Sequence, residues 1–128
     1  MSDPMIETPL MRGLERALDQ AAFRHRVVAA NLANVDTPGY HTRDVPAFAG
    51  EIEQAMAAVT DGDAGPPLMT PVAREVRGLI ERPDGNNVSV ERESLLLAEN
   101  QLRYQVAVAF LKAEFHRVSL AINGGSTS

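Results

Sequence analysis

The sequence predicts a mainly α fold: two long helices, one toward each end, pairing as an antiparallel coiled-coil-like hairpin around a loop-rich middle. Three observations predict it. Apolar residues recur at spacings of three and four over residues 11–35 and again over 97–122, the period of a heptad seam. Residues 35–88 hold six of the eight Pro and six of the nine Gly, which punctuate loops and turns. At 128 residues the chain has room for one domain with a modest core.

In chain order, residues 1–8 read as a mobile tail. The first helix covers 9–34. Thr8 can cap the free N–H groups of its first turn, and Pro9 suits the first helical position. Its seam is Met11, Leu14, Leu18, Ala21, His25, Val28, Leu32 and Val35, apolar except at His25. Thr37 precedes a proline and is pushed out of the α region. Pro38-Gly39 then supplies the two central positions of a type II turn, where Gly accepts positive φ. Asn31 and Asn34 can bond nearby backbone and ease the helix exit.

The middle segment spans residues 35–88. Phe48, Ile52, Ala55, Met56 and Val59 give one short amphipathic helix at about 47–59. Asp61 to Pro67 is a linker without hydrophobic pattern. Residues 76–82 read as a short strand weakened by Gly78, and Pro83-Asp84-Gly85-Asn86-Asn87 is a turn.

The second long helix covers 89–123, with residues 124–128 as a tail. Ser89 is the N-cap, and Glu91 and Glu93 suit the positive end of the dipole. Asn123-Gly124-Gly125 is a stop signal. Leu97, Gln101, Tyr104, Val108, Leu111, Phe115, Val118 and Ile122 form the seam. A second row, Leu102, Val106, Ala109 and Ala113, widens the apolar face enough to meet more than one helix. The residues expected to carry helix packing are Leu14, Leu18, Val28, Leu97, Tyr104, Val108, Leu111, Phe115, Val118 and Ile122. Two helices alone make a thin core, so neighbouring subunits are expected to complete it.

The run Ala29-Ala30-Asn31-Leu32-Ala33-Asn34-Val35-Asp36-Thr37-Pro38-Gly39-Tyr40 resembles the signature of the flagellar axial proteins, the rod and hook subunits of the bacterial flagellum. A second stretch, Asp84 to Glu93 followed by Leu97 to Gln105, is similar to the C-terminal pattern of the proximal rod proteins. The short chain points the same way. Ser89 stands where an acidic cap is usual, and His41-Thr42 where Lys-Ala is common.

The resemblance implies a structural subunit of the proximal rod, not an enzyme. It implies polymerisation with itself and other rod proteins, and contacts with the inner-membrane ring and a rod-base adaptor. It implies passage through the flagellar type III export apparatus without a cleaved signal peptide, and a place in the periplasmic rod of the basal body. It also implies that the terminal helices form an inner coiled-coil layer and transmit torque. Asn31, Leu32, Ala33, Asn34, Thr37, Pro38, Gly39 and Tyr40 would then lie at subunit contacts.

Composition narrows the alternatives. Without Cys there is no disulfide and no thiolate metal site. No apolar run is long enough to cross a membrane, and no signal-peptide stretch begins the chain. The net charge of −5 arises wholly in residues 35–88, which carry nine acidic and four basic groups. No basic patch invites nucleic acid, and with no Trp base stacking is poorly served. His25, His41 and His116 lack metal-ligand spacing. The acidic residues of the second helix interleave with Arg and Lys as a solvated charged face does, not as a catalytic pair. No phosphate loop or nucleophile elbow occurs, so the expectation is no cofactor, no metal and no small-molecule substrate. Two other classes compete with the structural subunit. One is a cytoplasmic helical adaptor or chaperone of a type III secretion system; the other is a small hydrolase.

Overall fold

The computed structural model describes residues 7–45 and 72–126, with side chains through residue 124. It contains helix α1 (Pro9–Ala33), strands β1 (Arg43–Asp44) and β2 (Arg74–Glu75), and helix α2 (Val90–Ser126). The predicted tail up to residue 6, the short helix at 47–59 and the linker at 61–67 lie outside the described residues.

α1 begins where the sequence places it. The Thr8 hydroxyl accepts the Met11 N–H at 3.1 Å, and Pro9 opens the helix. At the start of α2 the Ser89 hydroxyl accepts the Arg92 N–H at 3.2 Å. The far end of α2 differs from expectation. The helix runs through Asn123, Gly124 and Gly125 to Ser126. A glycine inside a helix costs only about 1 kcal/mol, and no following Pro forces a stop.

Three side-chain bonds fix the pairing as antiparallel. Asn31 Nδ2 donates to Glu93 Oε2, Asn100 Nδ2 to the Ala21 carbonyl, and the Thr8 hydroxyl to Glu114 Oε1. As the number falls along α1 it rises along α2. The last of these clamps the open end. There Arg117 and Thr8 hold the Glu114 carboxyl below its usual value against the effect of burial. α2 continues about a dozen residues beyond that clamp, roughly 18 Å of helix.

The buried line on α1 is Met11, Leu14, Ala17, Ala21, Arg24, Val28 and Asn31, with Gln20 beside it. The spacing is helical, but the line is turned from the predicted seam. His25 is exposed and Leu32 half-buried, while their neighbours Arg24 and Asn31 face inward. A period alone ranks residues by hydropathy. It cannot see that Arg24 and Asn31 find polar partners inside. On α2 the inward line is Glu93, Asn100, Ala107 and Glu114, one polar or small residue every seven.

β1 and β2 pair antiparallel, Arg43 opposite Glu75 and Asp44 opposite Arg74. The short strand therefore lies at 74–75 and not at 76–82. Gly78 has φ +81° and sits in a bend, which ends the extended run. The two strands lie at the closed end of the hairpin, beside the exit of α1.

Candidate functional site

The exit of α1 is a fixed sequence of turns. The Asn34 N–H closes the helix on the Ala30 and Asn31 carbonyls, and the Asn34 amide bonds the Ala30 carbonyl at 2.8 Å. The Thr37 hydroxyl donates to Asn34 Oδ1 at 3.0 Å. The Tyr40 N–H then returns to the Thr37 carbonyl at 3.2 Å, with Gly39 at φ +74°. That is the Pro38-Gly39 turn expected from the letters.

Asn31 does something different from Asn34. It is 0% exposed and reaches twelve residues ahead. Its Nδ2 donates to the Arg43 carbonyl at 2.7 Å, and its Oδ1 accepts the Arg43 N–H at 3.0 Å. The amide thus pairs with β1 as a further strand would. Its second donor goes to Glu93 Oε2 at 3.1 Å, and its second lone pair accepts the Tyr40 hydroxyl at 3.0 Å. All four hydrogen-bonding positions of the side chain are used.

Glu93, from the first turn of α2, is also 0% exposed. Besides Asn31, its carboxylate accepts the Thr42 hydroxyl at 2.5 Å and Arg92 Nη1 at 2.9 Å. A buried carboxylate with three donors is held by charge-assisted bonds, so its neighbours are positioned as well as stabilised.

A second turn locks the first. The Gly85 N–H bonds the Arg82 carbonyl and the Arg82 N–H bonds the Asn86 carbonyl, each at 2.8 Å. Gly85 has φ +83°. This is a three-residue Pro83-Asp84-Gly85 loop with its glycine in the left-handed region. The two turns touch: the Gly39 N–H donates to the Asp84 carbonyl at 2.8 Å. A Cβ on Gly85 would stand 3.3 Å from Gly39 Cα. Asn86 follows, 0% exposed, and its Nδ2 caps the end of α1 by donating to the Asn34 and Thr37 carbonyls at 2.9 and 2.8 Å. Asn87 Oδ1 accepts the Thr42 N–H at 2.6 Å. Arg82 Nη2 donates to the Val35 carbonyl.

One turn of α1 before Val28, Arg24 grips the next residue of β1. Its Nε and Nη2 donate to the two Asp44 carboxylate oxygens at 2.8 and 3.0 Å. Burial pushes the Asp44 carboxyl up, but the Arg24 guanidinium and the Val45 N–H hold it below the usual carboxylate range. Asn31 and Arg24, seven residues apart on one helix face, therefore staple Arg43 and Asp44 side by side. Together these groups form a polar knot that fixes the signature turn.

The signature residues divide into two groups. Asn31 and the Tyr40 hydroxyl are used within the chain, and Asn34 bonds the helix end. Ala33, Thr37, Pro38 and Gly39 are exposed, and Leu32 is half-buried. The expected helix-packing residues also divide. Leu14 and Val28 are 0% exposed; Leu18, Leu97, Val108, Leu111 and Val118 are half-buried. Tyr104, Phe115 and Ile122 remain exposed in the single chain. Sequence reasoning took Asn31 for a local cap, noted Thr42 only as a departure from the family pattern, and missed Arg24 and Asp44. The one available signal was a polar or charged residue at a seam-adjacent position in an otherwise apolar helix face. Among the described residues no cluster of His, Asp and Glu could hold a metal ion. His41 instead lies between Glu81 and Glu75, at 3.1 and 3.5 Å. No described helix is long and apolar enough to cross a membrane.

This geometry holds a surface turn rigid; it does not line a cleft with reactive groups. Part of this region carries a likeness to known proteins. Residues 11–41 match the profile of the family described as flagella basal body rod protein. The flagellar basal body rod protein FlgB of Escherichia coli (strain K12) is 32% identical over 131 aligned positions, covering 91% of this chain and 94% of that protein. FlgB of Salmonella typhimurium is 30% identical with the same coverage. FlgB of Bacillus subtilis (strain 168) is 27% identical over 90% of this chain and 94% of its own length. A polar knot that freezes the signature turn, on a hairpin similar over nearly its whole length to these proteins, places the chain in the FlgB family of structural proteins of the flagellar basal-body rod.

Proposed function

We propose that this chain builds the proximal segment of the rod, linking the inner-membrane ring and a rod-base adaptor to the distal rod and carrying torque between them. It reaches the periplasm through the flagellar type III export apparatus. Its role is assembly and not catalysis.

The observation that carries this reading is the state of α2. Leu95, Leu102, Phe110, Phe115, Leu120 and Ile122 are each 44% exposed or more in the single chain. Large apolar side chains in that number on one helix mark a surface that another chain covers. The knot supports the same reading from the other side. It presents Thr37, Pro38 and Gly39 at a fixed position on the surface, suited to a contact with the adjacent subunit. Tyr104, Phe115 and Ile122, expected on the packing seam, are then buried between subunits.

The test is electron microscopy of basal bodies from a strain carrying an in-frame deletion of this gene, beside a complemented control. The expected result is loss of the rod and everything distal to it, with the inner-membrane ring retained. Intact rods and filaments would overturn the reading.

A further inference from the structure

α1 covers one face of α2, whose buried line is Glu93, Asn100, Ala107 and Glu114, and leaves an apolar face on the other side open. Glu93 and Asn100 point toward α1, at 0% and 2% exposure. Leu95 and Leu102 each follow by two residues, which is about 200° around a helix. They stand on the opposite side and are 68% and 61% exposed. Leu120 continues the same line at 58%. Ala109 and Ala113 lie between Leu102 and Leu120, so the ridge of three leucines dips to a low saddle between the last two.

Among the described residues, two grooves lie along one side of the hairpin. The first, about 350 Å³, is lined by Ala21, Ala22, His25, Arg26, Asn100, Gln101 and Tyr104. The second, about 190 Å³, lies at the open end among Met11, Phe115, Val118, Ser119, Ile122 and Asn123. Tyr104 and Ile122 mark their places on α2, eighteen residues or about 27 Å apart along the axis. Leu102 and Leu120 are separated by the same interval. These two leucines therefore match the grooves in spacing, and they match in height along the helix as well.

Two further features suit the first groove to an incoming helix. Its walls include the small side chains of Ala21 and Ala22, which leave room for a bulky one. Asn100 is buried there with its Nδ2 fixed on the Ala21 carbonyl, and its Oδ1 has no hydrogen-bond partner among the described residues. The charges agree too. Arg26 stands at the groove rim, between the levels at which α1 bonds Glu93 and Asn100. Glu99, whose Oε1 is ion-paired with Arg103 at 3.2 Å, flanks the ridge at nearly that height.

We propose that Leu102 and Leu120 of one copy seat in the two grooves of the next copy, with their α2 helices parallel and at nearly equal height. The proposal rests on the assembly reading above and names the faces that meet. Such a contact joins different patches on the two partners, so each added copy presents a fresh ridge and a fresh pair of grooves. Near-equal height makes the copies neighbours around a tube and not links of an end-to-end string.

The natural chain has no Cys, which makes single thiols clean probes. Full-length Ala22→Cys protein would be mixed with full-length, mass-tagged Leu102→Cys protein at high concentration and oxidised. Circular dichroism would first check that each variant keeps its helix. The expected product is the mixed dimer, in at least about tenfold excess over either homodimer. A mixture of Ser119→Cys and Leu120→Cys proteins should behave alike through the second groove. Leu102→Cys homodimers in comparable yield would mean ridge packs on ridge, and would overturn the proposal. So would a yield no higher than that of an Arg16→Cys partner, whose position is exposed on α1 outside either groove, or no cross-link at all. Failure here combined with rod loss in the deletion strain would sink this contact and leave the rod reading standing. Intact rods in that strain would sink the rod reading whatever the cross-links show.

Discussion

The closed end of the hairpin and its α2 surface are built on opposite principles. At the closed end, Asn31, Asn86, Thr42 and Glu93 are almost wholly buried and every one has its partners within the chain. Along α2, Leu95, Leu102 and Leu120 are each more than half exposed. One region is finished in a single chain through directional polar bonds. The other is left open through non-directional apolar surface. The difference separates the two tasks of an assembling subunit: holding one shape, and joining a neighbour without first collapsing on itself.

The strongest way to break this contrast is Asn31→Ala. It leaves the Arg43 N–H and carbonyl, the Tyr40 hydroxyl and one Glu93 oxygen without their buried partner. The expected loss is about 3 kcal/mol or more in urea unfolding of the full chain. A loss under about 1 kcal/mol would mean the knot contributes little.

Next come the two turn glycines, which sharpen the comparison because they differ in surroundings. Both have positive φ, but a Cβ on Gly39 meets nothing within 4 Å, whereas one on Gly85 meets Gly39 Cα at 3.3 Å. Gly85→Ala should therefore cost about 2–3 kcal/mol and Gly39→Ala about 1 kcal/mol. Thermal unfolding of the pair reads the order directly. Gly39→Val adds a β-branched side chain that resists this conformation, and it should block motility in cells. Normal swimming would count against a fixed turn.

The Arg24–Asp44 pair is smaller and depends on pH. Asp44→Asn should lower stability by about 2 kcal/mol at pH 7. The folded-state carboxyl titrates below its unfolded value, so its contribution is full above about pH 3.9 and fades as pH falls through the lowered value. Variant and wild type should converge in stability in that acid range. A gap that stays constant down to pH 2 would remove charge from the account.

The smallest effect is expected on the open region. Leu102→Ser removes an exposed side chain, so monomer stability should change by under about 0.5 kcal/mol while assembly of rods fails. A large loss of stability would show that the ridge already has cover within the chain.

The two regions were not equally legible in the sequence. The caps at Thr8 and Ser89, the Pro38-Gly39 turn and the antiparallel helices follow from local chemistry and period, and the structure contains them. The position of the buried line did not follow. Hydropathy assigns His25 and Leu32 to the seam, whereas Arg24 and Asn31 occupy it. Their burial depends on Asp44, Arg43 and Glu93, which are distant in sequence. Asn86 and Asn87 read as ordinary turn residues for the same reason. Nothing local shows that their amides reach back to Asn34, Thr37 and Thr42. The stop at Asn123-Gly124-Gly125 misleads in the other direction, because a helix already 33 residues long propagates through glycine at modest cost.

The touching turns also impose an order in time. Asn31 needs Glu93, Asn34 needs Asn86, and Gly39 needs Asp84, separations of 62, 52 and 45 residues. A chain delivered N-terminus first, from a ribosome or through a narrow channel, shows its signature letters long before it can shape them. The turn becomes rigid only once residue 93 has emerged. Up to that moment the side chains and carbonyls that hold the turn, on Asp84, Asn86 and Glu93, are not yet beside it.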